Sequence, residues 1–526
     1  MRLSLSPLLF SLAAAATNTT FQQTCANAIS TLQLPNTTVW ESTFIPAGTN
    51  LTFPGTNATC ARTPQLIAAD FCRITMYVST TNRSGISMEA WLPSSWTGRF
   101  LSTGNGGLQG CIQYIDMAYA SGLGFATVGA NAGHNGTSGG AFHNNEDVVI
   151  DFAWRSVHTN VLIGKEVTKQ FYGEQHKKSF YLGCSTGGRQ GMKSVQMFPN
   201  DFDGVVVGAP AIAFNNLTSW SGKFFLETGT NTSSTFVTAA QWTAIAADIM
   251  AQCDGLDGVR DGIIEDPNLC NYRPENLLCS NTTSGHSTST CLTGIQANTV
   301  RQIFSPFYGS DGHLIYPRMQ PGSELSGSIG MLYGGIPFPF TTDWFRYAVH
   351  NDPTWQPSQL SMQDVDIAYR KNPGNVQSWE GDLSSFHNAG GKILHYHGLA
   401  DQIISSDNSP RYYDFVARTM GQTSAQLDDW YRFFRISGMG HCSKGPGAWE
   451  IGQSAGFTTK EASGNVLMAM VQWVEGGAAP ETVTGVKFFN NTQTLGVQME
   501  RRHCRWPRRN TYLGGDAGKA DSWVCK

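Results

Sequence analysis

The chain has 526 residues, of which 40% are hydrophobic and only 14% charged, with a formal net charge of −4. That length can bury two domain cores. Weak acidity and scarce charge exclude nucleic acid and anionic membrane surfaces as partners.

The N-terminus reads as a secretory signal over residues 1–16: Arg2, an apolar run from Leu3 to Leu12, then Ala14-Ala15-Ala16. The run is too short to span a bilayer, and no later stretch approaches the roughly 18 apolar residues a spanning helix needs. Twelve cysteines fit an oxidising compartment. Ten Asn-X-Ser/Thr sequons agree, at Asn18, Asn36, Asn50, Asn57, Asn82, Asn135, Asn216, Asn231, Asn281 and Asn490. The expectation is a glycosylated protein, secreted and extracellular.

Strand-like runs follow at Arg73–Val78, Ser87–Leu92, Gly98–Leu101 and Gly124–Val128. Asp151–Phe171 then reads as a helix, Ser179–Leu182 as a strand, Arg189–Phe198 as a helix and Gly204–Val207 as a buried strand. Such alternation implies a mostly parallel sheet covered on both faces. Between Ile212 and His387 the pattern loosens into sequons, a cysteine-rich patch and Pro/Gly/Ser-rich loops. It resumes in the strands Gly391–His397 and Trp430–Ile436. The predicted fold is α/β: an α/β-hydrolase core from 17–211 and 388–526, interrupted by a lid domain over 212–387.

Within that core, Gly183-Cys184-Ser185-Thr186-Gly187 sits at a strand-to-helix junction, the setting of a nucleophile elbow. Downstream, Gly440-His441-Cys442 places a histidine beside another cysteine. A disulfide between Cys184 and Cys442 would hold Ser185 close to His441, because bridged Cα atoms stand about 4.4–6.8 Å apart. The acid of a serine triad on this fold falls between the two in chain order. Asp401 fits, following a buried strand, whereas Asp201 and Asp203 precede one and belong to the opposite edge. Asp407 and Asp414 lie further on, where a helix begins. His397 reads as a structural residue tying its loop down, and His134 as a pocket or turn residue. The Thr186 N–H is one expected oxyanion donor, and Gly106 or Gly107 in Thr103-Gly-Asn-Gly-Gly-Leu108 the other.

Inside the lid, Cys253-Asp-Gly-Leu-Asp-Gly-Val-Arg-Asp-Gly-Ile-Ile-Glu265 carries Asp254, Asp257 and Asp261 among glycines. Carboxylates at that density repel unless a cation neutralises them, and hard oxygen ligands favour Ca²⁺. The carbonyls of Val259 and Ile263 would complete the shell of a structural ion. No organic cofactor is expected.

Cys184-Ser185, Asp401 and His441-Cys442 together resemble the CS…D…HC arrangement of the fungal tannase and feruloyl esterase family. Gly183-Cys-Ser-Thr-Gly-Gly-Arg-Gln-Gly191, Ser102–Gly107 and Ile436–Cys442 also look like its signatures, over nearly the whole mature chain, nearest its feruloyl esterase B branch. The resemblance implies a serine carboxylic ester hydrolase acting on hydroxycinnamate esters, free or on a feruloylated polysaccharide as in xylan degradation. Gallate esters, the tannase substrates, are the runner-up, and an inactive ligand-binding glycoprotein is the alternative of another class. It implies a monomer or homodimer, a lid-borne calcium loop, and cysteine pairs 25–72, 60–111, 184–442, 253–270, 279–291 and 504–525. Trp220, Phe224 and Phe225 are expected to bring aromatic surface over the triad.

Overall fold

The computed structural model describes residues 20–279, 289–454 and 459–526. The expected signal segment and the sequons at Asn18 and Asn281 lie outside the described residues. A nine-stranded sheet forms the centre. Its strands are β1 (Thr37–Ile45), β2 (Phe71–Ser79), β3 (Gly85–Pro93), β4 (Arg99–Thr103), β5 (Ala126–Ala130), β6 (Lys178–Cys184), β7 (Gly204–Gly208), β8 (Lys392–Gly398) and β9 (Tyr431–Ile436). Their spatial order is β1-β2-β3-β5-β4-β6-β7-β8-β9. The pairs β1/β2, β2/β3 and β3/β5 are antiparallel, and every pair beyond β5 is parallel.

Strands β2 to β9 fall within two residues of the expected runs, because each carries an apolar stretch bounded by turn residues. The parallel ones are buried apart from end residues such as Arg99, Lys178 and Lys392, as in Val205-Val206-Val207, since helices cover both faces. β1 was not anticipated. Its sequence Thr-Thr-Val-Trp-Glu-Ser-Thr-Phe-Ile is half exposed, as befits a polar edge strand.

The helices that position the site are α1 (Tyr114–Gly122), α2 (Ser156–Tyr172), α3 (Thr186–Met197), α4 (Phe214–Thr228), α5 (Asn408–Met420) and α6 (Val466–Gly476). Side chains of α2, α3 and α5, among them Val161, Met192 and Tyr412, fill one face of the sheet. α1 and α6 cover the other through Ala120, Leu467 and Met470. This is an α/β-hydrolase fold.

The chain leaves the sheet after Gly208 and rejoins it at Lys392. The intervening segment holds α4, three further helices of ten or more residues (Ala239–Cys253, Gly294–Ile303 and Met362–Lys371) and a small ribbon pairing Phe307–Tyr308 with Leu314–Tyr316. Its apolar core, with Trp220, Trp242, Tyr333 and Trp344, runs on into Phe142 and Phe152 of the sheet's own connections. A C-terminal hairpin, Thr482–Phe488 with Val497–Cys504, was not foreseen either.

All six cysteine pairs are those the resemblance implies. Of the described sequon asparagines, seven are exposed. Asn216 is the exception: it is half-buried on α4, where its Nδ2 donates to the Ile315 carbonyl (3.2 Å) and its Oδ1 accepts from Gln377 (3.0 Å).

Candidate active site

β6 ends at Cys184 and α3 begins at Thr186, leaving Ser185 as the only residue in the turn. Its backbone takes φ +63° and ψ −124°, a strained conformation for a residue with a side chain. Three bonds hold it there: the Ser185 N–H donates to Gly208 O (3.0 Å), and Ser185 O accepts from the N–H groups of Ala211 (3.0 Å) and Arg189 (2.9 Å). So sharp a turn brings Gly183 against α3, where a Cβ would stand 2.8 Å from the Gly187 carbonyl carbon.

α3 is anchored from behind by Arg189, which is fully buried. Its guanidinium donates to the carbonyls of Ala153 (2.6 Å) and Phe152 (3.1 Å) and faces the Phe152 and Phe214 rings. Burial lowers its pKa to about 9, still leaving it cationic at neutral pH, behind the turn that carries Ser185.

The glycine loop after β4 meets the start of α3. Thr186 Oγ1 donates to Gly107 O at 2.7 Å. Asn105 and Gln190 exchange two hydrogen bonds of 2.9 Å, backbone N–H to Oε1 and Nε2 to Oδ1. Gly107 has φ +50°, and a Cβ there would come within 2.5 Å of the Phe340 ring. Among the described residues the N–H groups of Gly106, Gly107 and Thr186 donate no hydrogen bond, so all three expected oxyanion donors are uncommitted.

β8 and β9 deliver the expected acid and base. Asp401 follows β8 and His441 follows β9, and Asp401 Oδ2 lies 2.7 Å from His441 Nδ1. The second oxygen, Oδ1, accepts the N–H groups of Ile403 and Ile404, each at 2.9 Å. Burial favours the neutral acid, but the His441 charge and hydrogen bonds from His397 and His441 outweigh it, holding Asp401 well below the usual carboxylate range. The His441 N–H donates to Gln402 Oε1 at 2.8 Å, fixing the loop that presents the ring.

The Cys184–Cys442 disulfide, Cα–Cα 6.0 Å, links the elbow directly to this loop. Cys184 precedes Ser185 and Cys442 follows His441, so the bridge holds the two together. The Ser185 hydroxyl makes no hydrogen bond among the described residues. Such contacts are commonly loose without substrate.

The rival residues are placed elsewhere. Asp201 binds His158 (2.9 Å) and Asp203 binds Lys178 (2.9 Å), both before β7 at the opposite edge. His134 is buried between the carbonyls of Ala132 (3.2 Å) and Leu108 (2.9 Å) and does not line the site. Asp407 precedes α5 and Asp414 lies within it, bonded to Trp506.

A narrow cleft opens beside Ser185, walled by Phe214, Leu217, Phe338, Phe340, Ile403 and Ile404. Phe214, Leu217, Thr218 and Ser221 line it from one stripe of α4, at helical spacing. Trp220 and Phe224, expected over the triad, are instead fully buried in the core of the inserted segment, and Phe225 is half-buried off the wall. Phe214 is the one aromatic that α4 gives the cleft wall, so the expected aromatic residues lie on the wrong face of the helix.

The acidic loop wraps around its own amides. Asp254 Oδ1 accepts the N–H groups of Asp261 (3.3 Å) and Gly262 (3.1 Å), and Asp261 Oδ1 accepts that of Ile263 (3.1 Å). Arg501, fully buried on the C-terminal hairpin, pairs with Asp261 and with Glu265 Oε2 (2.8 Å). Among the described residues no three His, Cys, Asp or Glu side chains converge as a metal site. Asp257 Oδ2, however, is buried with no hydrogen-bond partner. Burial first, and then the Asp261 charge, raise the pKa values of both Asp254 and Asp257.

Residues 72–351 and 358–526 match the family model described as tannase and feruloyl esterase. A probable feruloyl esterase B-2 from Neosartorya fischeri is 53% identical over 527 residues, covering 100% of this chain and 99% of that protein. The crystal structure of feruloyl esterase B from Aspergillus oryzae superposes with a TM-score of 0.93 at 50% identity, covering 96% of this chain and 100% of the other. A tannin acyl hydrolase from Aspergillus niger shares the fold, with a TM-score of 0.74 at 21% identity over 96% of this chain and 95% of that one.

Proposed function

The chain belongs to the tannase and feruloyl esterase family and is a carboxylic ester hydrolase; we propose that it cleaves hydroxycinnamate esters with Ser185, His441 and Asp401 as its triad. His441 Nε2 takes the proton of Ser185 as Oγ attacks the ester carbonyl. The developing oxyanion turns to the N–H of Thr186 and those of Gly106 or Gly107, where losing one donor costs about 10²–10³ in rate. His441 passes its proton to the leaving alcohol, and water then repeats the sequence on the acyl-enzyme. Asp401 holds the imidazole in the tautomer that presents Nε2 and stabilises the imidazolium.

The observation that carries this reading is the disulfide between the residue before Ser185 and the residue after His441. The relatives' names supply the acyl class, and the cleft beside Ser185, narrow and apolar, suits a planar ring. A hydroxycinnamate places its carbonyl a vinyl unit further from the ring than a gallate does, so one depth does not serve both. Methyl caffeate or methyl ferulate should exceed methyl gallate in kcat/KM by at least about tenfold, or 1.4 kcal/mol. The reverse order makes the enzyme a tannase. An enzyme that neither turns over any of these esters nor labels at Ser185 with an organophosphonate is a binding glycoprotein.

The loop from Asp254 to Ile263 is proposed to take one structural Ca²⁺ through Asp254, Asp257, Asp261 and the carbonyls of Val259 and Ile263. The unpartnered, buried Asp257 oxygen fits a cation, as do neighbouring acids whose mutual repulsion a cation would relieve. The ion would supply charge neutralisation to the inserted segment and no chemistry to the ester. That segment is proposed to act as a lid over the triad. Secretion is proposed on the leader-like N-terminus, six disulfides and seven exposed sequon asparagines. Among the described residues no helix is long and apolar enough to cross a membrane.

A further inference from the structure

β8 carries two histidines on one face, because strand residues two apart point the same way. His395 and His397 are both fully buried, and the reaction above uses neither. Hydrogen bonds string them into a row. Tyr431 Oη lies 3.0 Å from His395 Nδ1, His395 Nε2 lies 2.8 Å from Ser409 Oγ, and Ser409 Oγ lies 2.6 Å from His397 Nδ1. His397 Nε2 then reaches Asp401 Oδ2 at 3.2 Å, the same oxygen that His441 Nδ1 reaches at 2.7 Å.

The ends of the row fix its protons. Asp401 is a carboxylate and only accepts, while burial keeps the Tyr431 phenol protonated. An uncharged row therefore has one arrangement. Tyr431 O–H donates to His395 Nδ1, His395 Nε2–H to Ser409, Ser409 O–H to His397 Nδ1, and His397 Nε2–H to Asp401. Every donor points towards the triad. A proton added to His397 would reverse the hydroxyls and set a second cation beside the His441 imidazolium, opposing the transition state.

We propose that His397, held by Ser409, His395 and Tyr431, is a positioning residue that fixes the Asp401 carboxylate and divides its Oδ2 between two imidazoles, so setting the basicity of His441. The proposal rests on the triad reading given above. Without the His397 donor, the carboxylate has one partner fewer and holds the His441 imidazolium more strongly. The acid limb of kcat/KM then moves to higher pH. Other titratable or charged groups around the row are Tyr316 and Arg411, which interact near Asp401, and Tyr412, Tyr413 and Asp414 of α5 around Tyr431. The substitutions below leave all of them in place.

The test compares His397→Leu, His397→Gln and Ser409→Ala across pH 4 to 8 on a methyl hydroxycinnamate, with Ser185→Ala alongside. His397→Leu should lower kcat by about tenfold, leave KM within about twofold and raise the acid limb. His397→Gln keeps an N–H at the Nε2 position and should restore most of kcat. Ser409→Ala deletes one hydroxyl and should shift both readouts the same way, so the test survives a His397→Leu that does not fold. An active Ser185→Ala overturns the triad reading itself. An inactive Ser185→Ala with unchanged kcat and acid limb in the other variants, an acid limb that moves down, or a glutamine no better than leucine overturns the positioning role alone.

Discussion

Ser185 occupies a backbone conformation that costs about 1–3 kcal/mol, offset by backbone bonds to Gly208, Ala211 and Arg189. Alanine meets the same backbone cost as serine, so Ser185→Ala should melt within a degree or two of the parent while losing turnover by about 10³-fold or more. Glu324 is a second residue whose setting dictates an outcome. It is buried in the inserted segment, and both its oxygens accept the Gly322 N–H. Burial raises its pKa to about 7. Raised in the fold and ordinary when unfolded, such a carboxyl stabilises the protein below about pH 4.5, and that contribution fades as pH climbs to 7. Glutamine mimics the protonated form. The melting-temperature difference between Glu324→Gln and the parent should therefore be smallest near pH 4.5, grow to pH 7 in favour of the variant, and level off above it.

At the scale of elements, the elbow needs β6, α3 and the His441 loop in one place, and the disulfide supplies the last connection. It closes a loop of 258 residues, for which chain entropy alone is about 5 kcal/mol. Replacing Cys184 and Cys442 by alanine should lower kcat per folded molecule far more than it lowers the melting temperature, measured on the monodisperse fraction. Equal activity per folded molecule would reduce the bridge to a structural staple. α4 makes a second prediction. The seven steps from Phe214 to Ser221 carry the stripe about 10 Å along the cleft. The Ser221 hydroxyl is the one on that stripe without a hydrogen-bond partner among the described residues, since Thr218 Oγ1 donates to Phe214 O (3.1 Å). Ser221→Ala should erase most of any preference for a 4-hydroxycinnamate over cinnamate, read as the ratio of kcat/KM. The strands, the turn at Ser185 and the closeness of Asp401 to His441 were legible because apolar runs, turn glycines and paired cysteines are local signals. Orientation within α4 was not: Trp220 and Ser221 are adjacent, and only tertiary packing decides which faces the cleft. The polar edge strand β1 and the C-terminal hairpin lack an apolar run, and the row ending at His397 draws Ser409 from α5 and Tyr431 from β9.

For the molecule as a whole, the acidic loop is a junction between the inserted segment and the catalytic core. Arg501 ties Asp261 and Glu265 to the C-terminal hairpin, with its guanidinium 3.8 Å from the Trp523 ring centroid. Arg435, near the end of β9, pairs with Asp266, and Ile263 packs beneath Gly438 in the turn leading to His441. The Arg435–Asp266 and Arg501–Glu265 pairs use no proposed ligand, so the loop before His441 keeps that support when an ion leaves. An ion at Asp254, Asp257 and Asp261 would add stability only to the folded state, by mass action. Exhaustive EDTA treatment should lower the melting temperature by several degrees, and restoring Ca²⁺ should reverse it, whereas initial rates at low temperature should stay within about twofold. Asp257→Asn removes a ligand charge and should melt at the chelated enzyme's temperature, with little further response to EDTA. An unchanged melting curve together with less than a tenth of an equivalent of calcium by elemental analysis would overturn the calcium proposal and leave the loop's acids to Arg501 and the backbone amides.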